Sequence, residues 1–128
     1  MWKFLTDRGQ AFRYAFAGWR YVVYTQRNAW IHVLASIAVI GLGLWLKIDR
    51  QDWAIILVAI TLVWMAEFFN TALEAVVDLA SPGQHPLARI AKDVGAAAVL
   101  IAAGASVLLG LLILGPPLWL KLQLILNI

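Results

Sequence analysis

Ala66-Glu67-Phe68-Phe69-Asn70-Thr71-Ala72-Leu73-Glu74-Ala75-Val76-Val77-Asp78 closes a long apolar run and holds the only two glutamates of the chain. On a helix, the residues three, seven and eleven positions after Glu67 share nearly one face; they are Asn70, Glu74 and Asp78. Three carboxylates and an amide therefore form one stripe that begins inside a membrane-span pattern. A carboxylate at mid-membrane depth costs ~2.5–3.5 kcal/mol on insertion scales, so such a stripe needs a reason. Interhelical hydrogen bonding or a solvated helix end would supply one. Reactive or metal-binding chemistry at the membrane surface accounts better for several carboxylates on one face.

Working outward, the composition agrees with a membrane setting. The chain has 128 residues, 63% hydrophobic and 13% charged, with mean hydropathy +0.84. That length fits a single domain, 1–128. Without cysteine, no disulfide, thiolate nucleophile or cysteine metal site can form. The net charge is only +3, but Lys3, Arg8, Arg13, Arg20 and Arg27 crowd the first 28 residues against Asp7 alone. A basic segment next to a span reads as a contact with anionic head groups, not with nucleic acid. Seven tryptophans, several near span ends, suit an interfacial belt. The first residues are too polar, and lack the small-residue cleavage site, for a removable signal peptide.

Residues 1–28 interleave aromatic and basic groups, and Phe12, Phe16, Trp19 and Val23 follow helical spacing. An amphipathic helix on the membrane surface is expected, with Gly9 and Gly18 as points of interruption. Residues 29–46 form the first candidate span, with His32 near its start as an interfacial hydrogen-bonding residue rather than a ligand. After the neutral loop 47–52, the second span covers 53–79 and ends in the carboxylate stripe. Ser81-Pro82-Gly83-Gln84-His85-Pro86 breaks the helix. The third span, 87–114, carries Arg89, Lys92 and Asp93 in its first turns and is then apolar and rich in alanine and glycine. Small residues let helices approach closely, which places this span in the middle of a bundle. Gly115-Pro116-Pro117 is expected to end it, leaving 115–128 as a short interfacial tail anchored by Trp119 and Lys121. The basic residues favour a cytoplasmic N-terminus and a cytoplasmic Asp78–Asp93 connection.

That side then holds Gln26, Glu67, Asn70, Glu74, Asp78, His85, Lys92 and Asp93. A carboxylate at an apolar boundary suits a general base. Glu74 could serve magnesium, which takes one or two carboxylates plus phosphate oxygens. Lys92 offers a point charge to a polyphosphate. Together these describe phosphoryl transfer. No GxxxxGK[ST] loop and no GxGxxG occurs, so a kinase of this kind would not cradle phosphates on a glycine loop. Two histidines so far apart make no zinc site. Two other classes compete. A proton or cation transporter subunit would keep polar groups along a continuous path, yet the outer half of each span is bare of charge. In a structural membrane protein the stripe would merely join helices.

Several separated motifs, in order, resemble one family. They are Glu67-x-x-Asn70-x-x-x-Glu74-Ala75-Val76-Val77-Asp78, His85-Pro86-Leu87-Ala88, and Ala91-Lys92-Asp93-x-Gly95-Ala96-x-Ala98-Val99-Leu100. Before them stand Tyr14-Ala15-x-x-Gly18 and Thr25-x-Arg27-Asn28-x-x-Ile31-His32. Over residues 12–112 the chain is similar to the small prokaryotic diacylglycerol kinase/undecaprenol kinase family. The SPxxHPLAxxAKD and TxRNxxIH forms lie closer to its undecaprenol kinase branch.

The resemblance implies an all-α homotrimer of three-span subunits, each with a surface helix, in the prokaryotic cytoplasmic (inner) membrane. It implies transfer of the γ-phosphate of ATP, with Mg2+ as cofactor, to a lipid hydroxyl: undecaprenol, or alternatively diacylglycerol. By position, Glu67 would be the base, Glu74 and Gln26 would hold metal, and Asn70 would support the polar site. Tyr14, Gln26, Glu74, Asp78, Gly83, Gln84, His85, Lys92 and Asp93 would contact ATP, while Arg20, Glu67 and Ala96 would border the lipid. The site would be composite between subunits. Gln26 departs from the enterobacterial pattern, which has a carboxylate there; its carbonyl can coordinate a hard cation but brings no charge.

Overall fold

The computed structural model describes residues 2–83 and 85–126. The described chain is all helical: α1 (Trp2–Thr25), α2 (Arg27–Leu46), α3 (Arg50–Ala80) and α4 (Pro86–Leu126). The last three are long and apolar enough to cross a membrane.

α2 and α3 form a tight helical hairpin whose turn is set by local chemistry. Lys47 takes the left-handed conformation (φ 55°, ψ 47°). Its N–H bonds the Leu44 carbonyl while the Ile48 N–H bonds the Gly43 carbonyl, the paired bonds of a Schellman motif. Asp49 then caps α3, its Oδ1 accepting from the Asp52 N–H at 2.9 Å. Gly43 is buried because Trp53 and Ile48 close over it; a Cβ there would lie 3.0 Å from the Trp53 ring.

α3 is the central helix of the chain. It packs along α4 and against α2, and it buries Ile56, Ala59, Val63, Trp64, Glu67, Asn70 and Thr71. Within the single chain the central place thus falls to α3, whereas the expectation that the alanine- and glycine-rich helix lies in the middle of a bundle concerns packing between chains as well. On α4 only Gly95, Val99 and Leu114 are buried within the chain, and a Cβ at Gly104 or Gly110 would meet nothing within 4 Å. Large side chains on several faces of α3 need cover, whereas the small ones on α4 give a neighbouring helix of the same chain little to bury against.

Two expectations change. α1 runs unbroken through Gly9 and Gly18, and the chain turns only at Gln26. Its Phe12 and Phe16 are exposed, and α1 joins the rest through Trp19, Val22 and Val23, which meet Ala29, Trp64 and Phe68. The prolines do not end α4 either: the helix continues through Pro116 and Pro117 to Leu126. The two rings remove donors to the carbonyls of Leu112 and Ile113. Unwinding in hydrocarbon would strand still more backbone groups. Contacts on both sides also hold the helix: Leu114 is buried before the prolines, and after them Lys121 Nζ donates to the Trp45 carbonyl at 2.6 Å. Lys121 lies 4.3 Å from the centroid of the Trp45 ring, so a cation closes the C-terminal end of α2.

Gly43→Val is expected to destabilise the hairpin by about 1–3 kcal/mol through overpacking against Trp53. Gly41→Val, with nothing within 4 Å of its Cβ position, should leave stability unchanged. Denaturant unfolding in detergent micelles measures both.

Candidate active site

The stripe on α3 passes from interior to surface. Glu67 is 1% exposed and Asn70 9%, Glu74 is half-buried, and the Asp78 side chain is 65% exposed. Each member meets a different neighbour. Glu67 Oε2 lies 3.5 Å from His32 Nε2 on α2. Asn70 Nδ2 donates to Glu74 Oε1 at 3.0 Å. Asp78 Oδ1 accepts from Lys92 Nζ on α4 in an ion pair at 2.5 Å.

Gly95 makes this packing possible. A methyl at its Cα would run into Asn70 Oδ1 and approach Leu73 Cδ2 to 3.1 Å, so only a glycine lets α4 come this close to Asn70. Thr71 donates its hydroxyl to the Glu67 carbonyl at 2.9 Å, which keeps a buried polar group inside the helix.

Where α3 gives way to α4, an open cleft of about 740 Å³ forms. Asp78, Gly83, His85, Lys92 and Asp93 line it, together with Ser81 and Arg89. Pro86 opens α4 at the position where its missing N–H costs least. His85 Nδ1 accepts from the Leu87 N–H at 3.2 Å, capping the same turn. Arg89 reaches Asp93 at 3.9 Å, so two cations and two carboxylates are interleaved around the cleft.

The structure thus gathers five of the expected nucleotide residues. Gln84 lies outside the described residues. Tyr14 is exposed on α1 and is not among the residues lining the cleft, and Arg20 and Ala96 are exposed on α1 and α4. Gln26 is the half-buried N-cap of α2, and its side chain makes no capping hydrogen bond. Two residues go beyond the sequence reading. Arg89 lines the cleft, and its place in the first turn of α4 beside Lys92 was the available signal. His32, expected as an interfacial hydrogen-bonding residue, has Glu67 as its polar neighbour, which the sequence reading did not name.

The donor set suits a hard cation held jointly with phosphate. Glu74 presents a half-buried carboxylate fixed by Asn70, and Asn70 Oδ1 is a buried acceptor with no hydrogen-bond partner. No cluster of three or more histidine, aspartate or glutamate side chains poised to hold a metal by themselves occurs among the described residues.

With this geometry in place, the profile of the family described as prokaryotic diacylglycerol kinase matches residues 13–114. The chain belongs to that family. It is 44% identical over 119 residues to a diacylglycerol kinase of Synechocystis, covering 91% of this chain and 67% of that one. It is 40% identical over 94 residues to the undecaprenol kinase of Bacillus subtilis, covering 73% and 76%. Against a diacylglycerol kinase of Escherichia coli it is 36% identical over 83 residues, covering 59% and 68%. The chain is a lipid kinase, and the transporter and scaffold readings give way.

Gly95→Ala is expected to push Asn70 away from Glu74 and lower lipid phosphorylation by tenfold or more. Gly104→Ala, whose Cβ would meet nothing within 4 Å, should retain full activity. Turnover in detergent, with helix content checked by circular dichroism, tests the pair.

Proposed function

We propose that the chain catalyses MgATP-dependent phosphorylation of undecaprenol, drawing ATP from the cytoplasm. The observation that carries the reading is Glu67, a carboxylate buried on the same helix that opens, three turns later, into the Asp78–Lys92 cleft. A phosphoryl acceptor that lives in the membrane needs its base at membrane depth and its donor site at the water boundary. This stripe has that layout.

Glu67 accepts the proton of the lipid hydroxyl as the hydroxyl oxygen forms its bond to the γ-phosphorus. The bond from that phosphorus to the bridging oxygen breaks, and ADP leaves with the electron pair. Lys92, drawn partly from Asp78 by the incoming phosphates, supplies positive charge to the polyphosphate. Gly83, His85 and Asp93 shape the cleft around the nucleotide, and Tyr14 and Gln84 would complete its contacts. Glu74, with Asn70 and Gln26 behind it, would hold Mg2+, whose chemistry is to neutralise charge on the transferring phosphoryl oxygens. Arg20 and Ala96 would border the lipid. The many uncovered apolar side chains on α2–α4 suit both lipid and a homotrimer in which neighbouring subunits complete the site.

The SPxxHPLAxxAKD and TxRNxxIH forms support undecaprenol as acceptor. Diacylglycerol is the second reading, favoured by the Synechocystis relative that carries that name.

Glu67→Gln should keep the assembly intact and lose nearly all transfer from labelled ATP; near-normal turnover would remove Glu67 as the base. Parallel assays with undecaprenol and diacylglycerol decide the acceptor, and preference for diacylglycerol would reject the undecaprenol assignment. Glu74→Ala should raise the magnesium concentration needed for half-maximal activity sharply. An unchanged titration curve would move the metal elsewhere.

A further inference from the structure

A buried carboxylate needs donors, and Glu67 has very few. The Thr71 hydroxyl goes to the Glu67 backbone carbonyl, and the Asn70 amide N–H goes to Glu74. Glu67 Oε2 has no hydrogen-bond partner, and neither has His32 Nε2, although the two atoms are 3.5 Å apart. The side chains are 2% and 11% exposed, so water is not a ready substitute. A small rotation of either side chain closes the gap to a hydrogen bond.

The imidazole is itself held in place. Its ring stands edge-on to Trp64, with centroids 6.1 Å apart. Trp64 Nε1 donates to Ser36 Oγ at 3.3 Å. His32 and Ser36 lie one turn apart on α2, and Glu67 and Trp64 one turn apart on α3. The two contacts are therefore successive rungs between antiparallel helices. On its other face Trp64 packs against Trp19 of α1, with centroids 4.7 Å apart. The bracing fixes which way the imidazole points.

We propose that His32 is a positioning residue for the phosphoryl-transfer reaction, its Nε2–H holding Glu67 Oε2 so that Oε1 is left to take the acceptor proton. The role rests on Glu67 being the base. It differs from simple packing because a carboxylate free to rotate would meet the lipid hydroxyl in many orientations, and misplacement by about 1 Å can cost 10²-fold in rate.

The test compares His32→Phe, which keeps a ring against Trp64 but no donor, with His32→Gln, which keeps a donor at similar reach. Expected for His32→Phe is a fall in kcat of about 100-fold with the KM for ATP within twofold of the parent. His32→Gln should recover at least tenfold of that loss. Full turnover in His32→Phe, or equal losses in both variants, overturns the proposal. A second readout needs no activity. With only two glutamates in the chain, 13C-carboxyl glutamate labelling in a Glu74→Gln background leaves Glu67 alone in the infrared spectrum. Its carboxylate stretch should shift on adding His32→Phe and return with His32→Gln; an unmoved band overturns the contact even if turnover falls. Glu67→Gln is assayed alongside. Retained turnover there removes the base assignment and the positioning role with it. Lost turnover there, with full turnover in His32→Phe, overturns the His32 role alone.

Discussion

Polar groups that enter the apolar layer must be answered by a neighbouring helix, because lipid offers them nothing. On α3 this constraint acts several times along one face, and it fixes how the other helices are arranged. α2 meets Glu67 with His32 and offers Ser36 to Trp64 one turn away. α4 meets Asp78 with Lys92, and Gly95 leaves room for Asn70 two turns deeper. A shift of α2 by one residue would turn His32 by about 100° around its helix and carry the imidazole away from the buried Glu67, and the same shift of α4 would separate Lys92 from the exposed Asp78. Helix register here follows from polar satisfaction as much as from apolar packing, which in lipid is a weak guide.

The same stripe shows what a sequence can reveal. The spacing of Glu67, Asn70, Glu74 and Asp78 is a local property of one helix, so its periodicity was readable, and the burial gradient along it follows from where the apolar run ends. The turn-rich break before Pro86 was equally plain, because proline and glycine act on their own backbone. His32 was not legible in the same way. Its meaning depends on a residue 35 positions later on another helix, and a lone histidine near a span end carries no mark of its partner. Pro116 and Pro117 misled for a different reason. The rule that prolines end helices weighs only the local backbone, whereas here Leu114 and Lys121 anchor the chain on either side of the two rings. The alanine-rich stretch of α4 signalled close approach, and within the chain that approach is made at Gly95, while a Cβ at Gly104 or Gly110 would meet nothing within 4 Å.

The two ends of the bundle divide the work. At the Gly43–Trp53 end, Schellman bonds, an aspartate cap and the Lys121–Trp45 contact tie α2, α3 and α4 together with ordinary packing and capping. At the Asp78–Lys92 end, the contacts are polar, half exposed and open to a cleft. The unpaired acceptor Asn70 Oδ1 lies towards this end. α1 stands outside both, fastened mainly by Trp19 on the Trp64–Phe68 pair. Motion of α1 would therefore reach the Glu67 turn of α3 first.

Charge gives the last step. The side chains lining the cleft include Asp78 and Asp93 against Arg89 and Lys92, a formal sum of zero, and the half-buried Glu74 adds a negative charge above them. Among the described residues this lining carries no formal excess of positive charge with which to hold a polyanion, unlike the cationic funnels that concentrate charged ligands. If ATP is the donor, positive charge arriving with it would offset these carboxylates. A divalent cation held by Glu74 together with phosphate would supply such charge and would relieve the repulsion between the stripe and the phosphates. Lys92 then has two anionic partners to share, and exchange between Asp78 and phosphate keeps it neutralised with or without nucleotide. The acidity of the stripe, costly in a membrane and hostile to phosphate, would then be one half of a site that a metal–nucleotide complex completes.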